Sequence, residues 1–221
     1  MKNSKRHILF LNSPYRKQDM AFYMSLLKGA FHIAVDGGIR FFLKNKLRPD
    51  ILIGDFDSAP RMSQKYLSSI EVIRHPEHKD KTDSQLALEL ALERGAECID
   101  ICGGITADEI DHTLGNIFLL DLVNKYNKRH GCRVIARLIG PNNIVYLLHN
   151  NSIALKARRD DCLSVIPLSE SVKLDFNGLS YPPPAKPLKF GDSLTLRNKF
   201  KNARCHIDIH GKAIVVIVPA S

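Results

Sequence analysis

A change of pattern along the 221 residues predicts an α/β domain on a mostly parallel sheet, followed by a small all-β sandwich. Up to Gly140, short β-like apolar runs alternate with longer stretches of helical periodicity, the pattern of strand–helix–strand units. After Gly140-Pro141-Asn142-Asn143 the longer stretches stop, and short apolar runs separated by turn residues remain. The expected domains are therefore residues 1–140 and 141–221.

In the first domain, strands are expected at 7–11, 31–35, 51–53, 72–74, 99–102 and 134–139, and helices at 19–28, 38–46, 61–68, 83–94 and 109–129. Ile51-Leu52-Ile53 lacks polar alternation and reads as a strand buried on both faces, ended by Gly54. Thr82-Asp83-Ser84-Gln85 fits a capping box, with the Thr82 hydroxyl closing the first turn and Gln85 reaching back. The alternation describes a Rossmann-like sheet, in which ligands bind beyond the carboxyl ends of the strands. In the second domain, strands are expected at 144–148, 153–155, 163–167, 172–176, 193–196, 205–209 and 213–218. The prolines between Tyr181 and Pro187 exclude a central strand there and imply an exposed, extended loop.

Composition narrows the class. Five cysteines, Cys98, Cys102, Cys132, Cys162 and Cys205, are odd in number and form no Cys-x-x-Cys pair, so free buried thiols in a reducing compartment are expected. The apolar run 8–11 is too short for a signal sequence, and no run approaches the roughly 18 apolar residues of a membrane span. A soluble cytoplasmic protein is expected. The net charge of +9 is uneven: residues 1–120 carry 16 Lys and Arg against 16 Asp and Glu, and residues 121–221 carry 16 against 7. Such a surplus suits a handler of polyphosphates as well as a nucleic-acid binder.

Chemistry concentrates where strands are expected to end. Asp55 and Asp57 stand two residues apart, so in an extended segment both carboxylates leave the same side and can share one hard cation, with Phe56 directed into a core. Lys79-Asp80-Lys81-Thr82-Asp83 puts a second acidic cluster at a helix start, with Asp83 in the first turn, where the helix dipole favours the anion. Asp36-Gly37-Gly38 ends one strand and opens a helix; its glycines let backbone N–H groups approach an anion, and Asp36 can contact a ribose or a metal. After Cys102-Gly103-Gly104, the segment Asp108 to Asn116 places His112 and Asn116 on one helical face and Asp111 and Gly115 on the adjacent one.

Taken in order, Asp36-Gly37-Gly38, Pro49-Asp50 through Gly54-Asp55-Phe56-Asp57-Ser58, Lys79-Asp80 with Thr82-Asp83 and Ala87-Leu88, and Gly104 through Asp111-His112 to Asn116 resemble the thiamine pyrophosphokinase (thiamine diphosphokinase) family. The likeness continues through Gly178-Leu179, Tyr181-Pro182 and residues 191–200. It implies an ATP-binding catalytic α/β domain, a thiamine-binding and dimerising β-sandwich, and a homodimer whose active sites are shared between chains. It also implies transfer of a diphosphoryl group from ATP to the hydroxyethyl oxygen of thiamine, giving thiamine diphosphate and AMP, with Mg²⁺ as cofactor. Carried over by motif, Asp55, Asp57 and Asp83 are the expected catalytic and metal-holding carboxylates. Asp36, Gly37, Gly38, Asp80, Thr82, Asp111 and His112 are expected to meet the nucleotide, and Arg197 and Asn198 the thiamine.

Three segments depart from the family pattern. Ala107-Asp108-Glu109 stands where the family has Gly-Gly-Arg, Ile39-Arg40-Phe41 where it has Ala-Asn-Arg, and Arg197-Asn198-Lys199 where it has Ser-Asn-Glu. Two other readings are open. A diphosphokinase for another hydroxymethyl heterocycle, such as a pterin, would need the same carboxylates. A nucleic-acid-binding module would use Lys199, Lys201 and Arg204 around Phe200, and leaves the four N-terminal motifs without a role.

Overall fold

The structure is a computed structural model that describes residues 4–78, 80–106 and 108–220, so Lys79 and Ala107 of the motifs above lie outside the described residues. The chain divides into two compact units. One holds the residues up to Leu119 together with Asn127–Pro141, and the other holds Leu120–Tyr126 together with the residues from Asn142 onward.

Six strands form the sheet of the first unit: β1 (Arg6–Phe10), β2 (Phe31–Val35), β3 (Ile51–Gly54), β4 (Glu71–Arg74), β5 (Cys98–Cys102) and β6 (Ile135–Ile139). All adjacent pairs are parallel, in the order β6-β5-β1-β2-β3-β4. β2 and β3 are buried along their whole length, which is why their sequences lack polar alternation. Helices α1 (Met20–Leu26), α2 (Ile39–Lys44), α3 (Gln64–Leu67) and α4 (Asp83–Glu93) fill the connections between these strands. α4 packs on β1, β2 and β3 and buries Ala87, Leu88, Ala91 and Leu92, a stripe at the 3.6-residue period. Phe41 of α2 stacks on Phe10 of β1, ring centroids 4.4 Å apart, while Phe42 meets Phe10 edge-on at 5.0 Å. Phe41, in a segment expected to depart from the resembled pattern, belongs to the core.

One charge lies inside this sheet. Asp100, in the middle of β5, is fully buried. Its two oxygens accept from Arg6 on β1, with Nε at 2.8 Å, and from Arg137 Nε on β6 at 2.6 Å. The flanking strands thus satisfy a carboxylate that isolated burial would neutralise.

Helix 109–129, expected as one element, is two: α5 (Ile110–Leu119) and α6 (Asp121–His130). Asp121 opens α6 and accepts from Lys212 Nζ at 3.0 Å, a partner 91 residues away that local periodicity cannot register. Among the described residues no helix is long and apolar enough to cross a membrane.

The second unit is antiparallel. β7 (Ile144–Lys156) and β11 (Arg204–Val218) pair along their length, β8 (Cys162–Pro167) pairs the later half of β11, β9 (Lys173–Asn177) pairs its earlier half, and β10 (Asn198–Lys199) pairs β8. Two pairs of expected short strands are therefore continuous. Asn150-Asn151 is a bulge rather than a turn: Asn150 has φ 47°, Gly211 opposite has φ 116°, and the Gly211 N–H donates to Asn150 Oδ1 at 2.7 Å. Ile207 and Ile209 before the bulge, and Ala213, Val215 and Ile217 after it, enter one apolar core with Leu163, Val165 and Phe200. The strand expected at 193–196 is a turn segment ending at Arg197, whose φ of 57° breaks the extended run. All five cysteines are free; Cys102, Cys162 and Cys205 are buried, Cys98 is half-buried, and Cys132 is exposed, against the expectation of burial.

Candidate active site

Because the strands of the first unit are parallel, the loops after β1, β2, β3 and β5 leave from one edge of its sheet. The strand order reverses between β1 and β5, and the two strand ends are tied there. Leu11 N–H donates to the Cys102 carbonyl at 3.0 Å, and the buried Tyr15 hydroxyl lies 2.8 Å from the Leu11 carbonyl and 3.2 Å from that of Cys102. Gly103, at φ 79°, leaves room for them, since a Cβ there would meet the Tyr15 hydroxyl oxygen at 2.7 Å. From the other side Asn116 Nδ2 donates to the Gly104 carbonyl at 3.2 Å, and the Thr113 hydroxyl donates to the Thr106 carbonyl at 2.8 Å. α5 thus fixes the loop after β5. Asp111 and His112 sit exposed in its first turn.

The acidic residues gather beyond β2 and β3. Asp36, Asp55 and Asp57 each offer a carboxylate oxygen within 4.8 Å of the others. The route differs from the extended geometry expected from sequence. β3 stops at Gly54, and Phe56 adopts φ 71°, so Asp55 and Asp57 are brought round by a turn in which the Asp57 N–H donates to Asp55 Oδ1 at 3.3 Å. Phe56 accordingly does not enter a core. It is half-buried, with the Arg74 guanidinium 4.5 Å from its ring centroid.

Asp36 is held by Ser58, Asn12 and Arg40, none of which is among the expected site residues. Its Oδ2 accepts from the Ser58 hydroxyl, Asn12 Nδ2 donates to Ser58 Oγ at 3.3 Å, and Arg40 donates to Asn12 Oδ1 at 3.3 Å. Asn12 follows β1 at the reversal of strand order, which is the one signal that could have found it. The glycines after Asp36 answer a packing demand: a Cβ on Gly38 would lie 1.9 Å from the Phe10 carbonyl oxygen, and one on Gly37 would strike Asn12 and Ser58. They let the short helix start press against the end of β1.

Three carboxylates this close repel one another unless a cation lies between them. Asp36 Oδ1 is buried without a hydrogen-bond partner, although an orphaned acceptor of this kind is costly. An all-oxygen donor set with a spare buried oxygen fits a hard divalent cation held by Asp36, Asp55 and Asp57.

Asp83, expected with Asp55 and Asp57, stands outside this group and opens α4, and Asp36 takes the third place. Thr82 caps α4 as expected, its hydroxyl accepting from Gln85 N–H at 3.3 Å. Gln85 does not close the box, because its amide turns to Glu89 Oε1 at 3.0 Å. Asp80 is exposed. In the second unit Asn198 is buried and its amide is engaged by backbone. Oδ1 accepts from the N–H groups of Tyr181 at 3.0 Å and Lys199 at 2.9 Å, and Nδ2 donates to the Tyr181 carbonyl at 3.1 Å. Arg197 is exposed, and its N–H donates to Ser164 Oγ at 2.9 Å.

Comparison with known proteins bears on this arrangement. Residues 23–135, half of the chain, match the thiamin pyrophosphokinase catalytic domain, a span that contains all three clustered aspartates. The chain is 31% identical to the thiamine pyrophosphokinase of Bacillus subtilis (strain 168) over 176 residues, covering 78% of this chain and 79% of that protein. The crystal structure of thiamine pyrophosphokinase from Bacillus subtilis superimposes with a TM-score of 0.78 at 26% identity, over 98% of this chain and 99% of that one. Thiamin pyrophosphokinase from Candida albicans shares the fold, with a TM-score of 0.79 at 16% identity over 98% and 90% of the two chains. With its clustered aspartates inside the matched span and its fold shared along nearly the whole length, the chain belongs to the thiamine pyrophosphokinase family.

Proposed function

We propose that this enzyme transfers the diphosphoryl group of ATP to the hydroxyethyl oxygen of thiamine. The observation that carries this reading is the convergence of Asp36, Asp55 and Asp57 at the carboxyl edge of the parallel sheet, within the span shared with the family. In the reaction the thiamine hydroxyl oxygen bonds to the β-phosphorus, the bond from that phosphorus to the oxygen bridging the α-phosphate breaks, AMP departs, and the hydroxyl proton is lost. Mg²⁺, when bound, supplies charge neutralisation for the phosphate oxygens. The chain's part is to hold the carboxylates converged, through the Ser58–Asp36 hydrogen bond and the turn at 55–57, and to offer a proton acceptor among them.

Asp83, Asp80, Thr82, Gly37, Gly38, Asp111 and His112 are proposed to face the nucleotide, since all follow strands of the same sheet. Arg197 and Asn198 are proposed to serve thiamine, Asn198 by holding the Tyr181 backbone. We further propose a Rossmann-like first domain and a sandwich for the second, supported by the single apolar core that both halves of β11 enter. A cytoplasmic homodimer is proposed as well. The exposed Tyr181, Phe190, Leu194 and Leu196 of the second unit support dimerisation, and sedimentation equilibrium tests it.

Family membership does not favour the pterin or nucleic-acid readings. The deciding experiment incubates the protein with ATP, Mg²⁺ and thiamine and identifies the products by mass spectrometry. Equimolar thiamine diphosphate and AMP are expected; ADP with thiamine monophosphate, or no phosphorylated thiamine, overturns the reading.

A further inference from the structure

The turn that carries Asp55 and Asp57 is not a conformation its sequence favours. Phe56 at its centre has φ 71°, a region that costs a bulky side chain on the order of 1 kcal/mol or more unless its surroundings hold it there. Gly54 before it is also at positive φ, 146°, with the Asp36 backbone and Cβ packed 3.1–3.3 Å from where its own Cβ would be. Two consecutive aspartates of the group therefore depend on a strained tripeptide.

Arg74 is placed to hold that tripeptide from outside. It ends β4 directly opposite Gly54 in the parallel register, and the next N–H along the strand, of His75, donates to the Gly54 carbonyl at 2.9 Å. From that anchored position the guanidinium does two things. It lies 4.5 Å from the Phe56 ring centroid, and its Nη1 donates to the Asp55 carbonyl at 3.2 Å. One contact fixes the side chain at the centre of the turn, and the other fixes the peptide that enters it.

We propose that Arg74 is a positioning residue: by stacking on Phe56 and holding the Asp55 carbonyl, it keeps the turn 55–57 in the strained conformation that aims both carboxylates at Asp36. This rests on the reading of the three aspartates as the cation site. It gives β4, at the edge of the first unit's sheet, a part in the chemistry without contact with substrate. Lysine in place of Arg74 keeps a cation for the ring but loses the planar fork that reaches the carbonyl at the same time, so it restores only part of the effect.

The test reads metal binding directly. Mn²⁺ is titrated by electron paramagnetic resonance into wild type, Arg74→Met, Arg74→Lys, Phe56→Gly, the double variant Arg74→Met with Phe56→Gly, and Asp57→Asn, with ATP and thiamine both withheld so that the protein carboxylates alone compete for the ion. Thermal unfolding of each variant controls for folding. Arg74→Met is expected to weaken Mn²⁺ binding roughly tenfold, a part of the combined worth of one exposed cation–ring contact and one charged hydrogen bond, with a near-normal melting point. Arg74→Lys should fall between Arg74→Met and wild type. Phe56→Gly accepts positive φ without strain, so Arg74→Met should cost less in that background than alone. Unaltered Mn²⁺ affinity in folded Arg74→Met, or strict additivity in the double variant, overturns the proposal while leaving the cation site standing. Identical Mn²⁺ binding by wild type and Asp57→Asn overturns the cation reading itself, and the positioning role with it.

Discussion

In the first unit every strand runs the same way, so the loops after β1, β2, β3 and β5 leave from one edge and their polar residues meet. In the second unit hydrogen-bonded neighbours run in opposite directions, so carboxyl and amino strand ends alternate along each edge, and polar side chains there are used singly to brace nearby backbone, as Asn198 does for Tyr181 and Asn150 for Gly211. Backbone strain follows the same division. Phe56 and Asp36 hold positive φ beside carboxylates that repel one another, whereas Asn150 sits at a bulge and Arg197 at the end of a turn. A parallel sheet thus gathers chemistry at a cost to its own stability, and an antiparallel one closes a core.

Breaking the first unit's edge should show the largest effect. Asp57→Asn is expected to lower kcat at least ~100-fold by losing metal-mediated charge stabilisation, while the urea midpoint holds or rises because a like charge is gone. Steady-state kinetics beside urea unfolding measures both; a loss of stability in step with activity would reject the view that the cluster is held against repulsion.

Next in size is the buried charge. Asp100→Ala leaves Arg6 and Arg137 facing each other in the sheet and should destabilise by about 3–5 kcal/mol, seen in denaturant unfolding. In the second unit, Asn198→Ala removes a bracket rather than a charge and should cost about 1–3 kcal/mol. An unchanged melting point with a raised KM for thiamine would instead make Asn198 a direct contact.

The smallest effect expected is on acid sensitivity. Burial pushes the His7 imidazole below its ordinary 6.5, against the Ser4 carbonyl that favours the charged ring. A lowered histidine stabilises the fold above about pH 6.5 and loses that contribution as pH falls through 6.5. Asp121 behaves differently. Burial raises its carboxyl, but the Lys212 ammonium, with Asn124 and Lys125, overrides this and holds it below the ordinary 3.8. Its contribution is lost only as pH falls below about 4. Between pH 7.5 and 5.5 the fall in unfolding midpoint should therefore shrink in His7→Phe and persist in Asp121→Asn.

Much of the fold is legible in local pattern, and the departures are local readings overruled by partners outside the motif, some one turn on and some far along the chain. Alternating periodicity located all six parallel strands, and Thr82 was recognisable as a cap because a cap acts within its own turn. Gln85 was expected to complete that cap, but Glu89 one turn on offered it a better acceptor. Asn150-Asn151 read as a turn because nothing nearby reveals that Gly211, 61 residues on, stands opposite to form a bulge. Asn12 carried no motif and became visible only once the end of β1 lay beside Asp36 and Ser58.

The parallel strands of the first unit, the strand ends where acids accumulate and the family are legible in the sequence, because period, punctuation and motif spacing are properties of contiguous residues. Folding settles the rest: Asp36 gathers with Asp55 and Asp57, Phe41 belongs to the core while Arg40 reaches Asn12, and Phe56 lies under Arg74. Those outcomes depend on which strand ends become neighbours and on a single backbone angle at Phe56, and such relations between segments are created by folding.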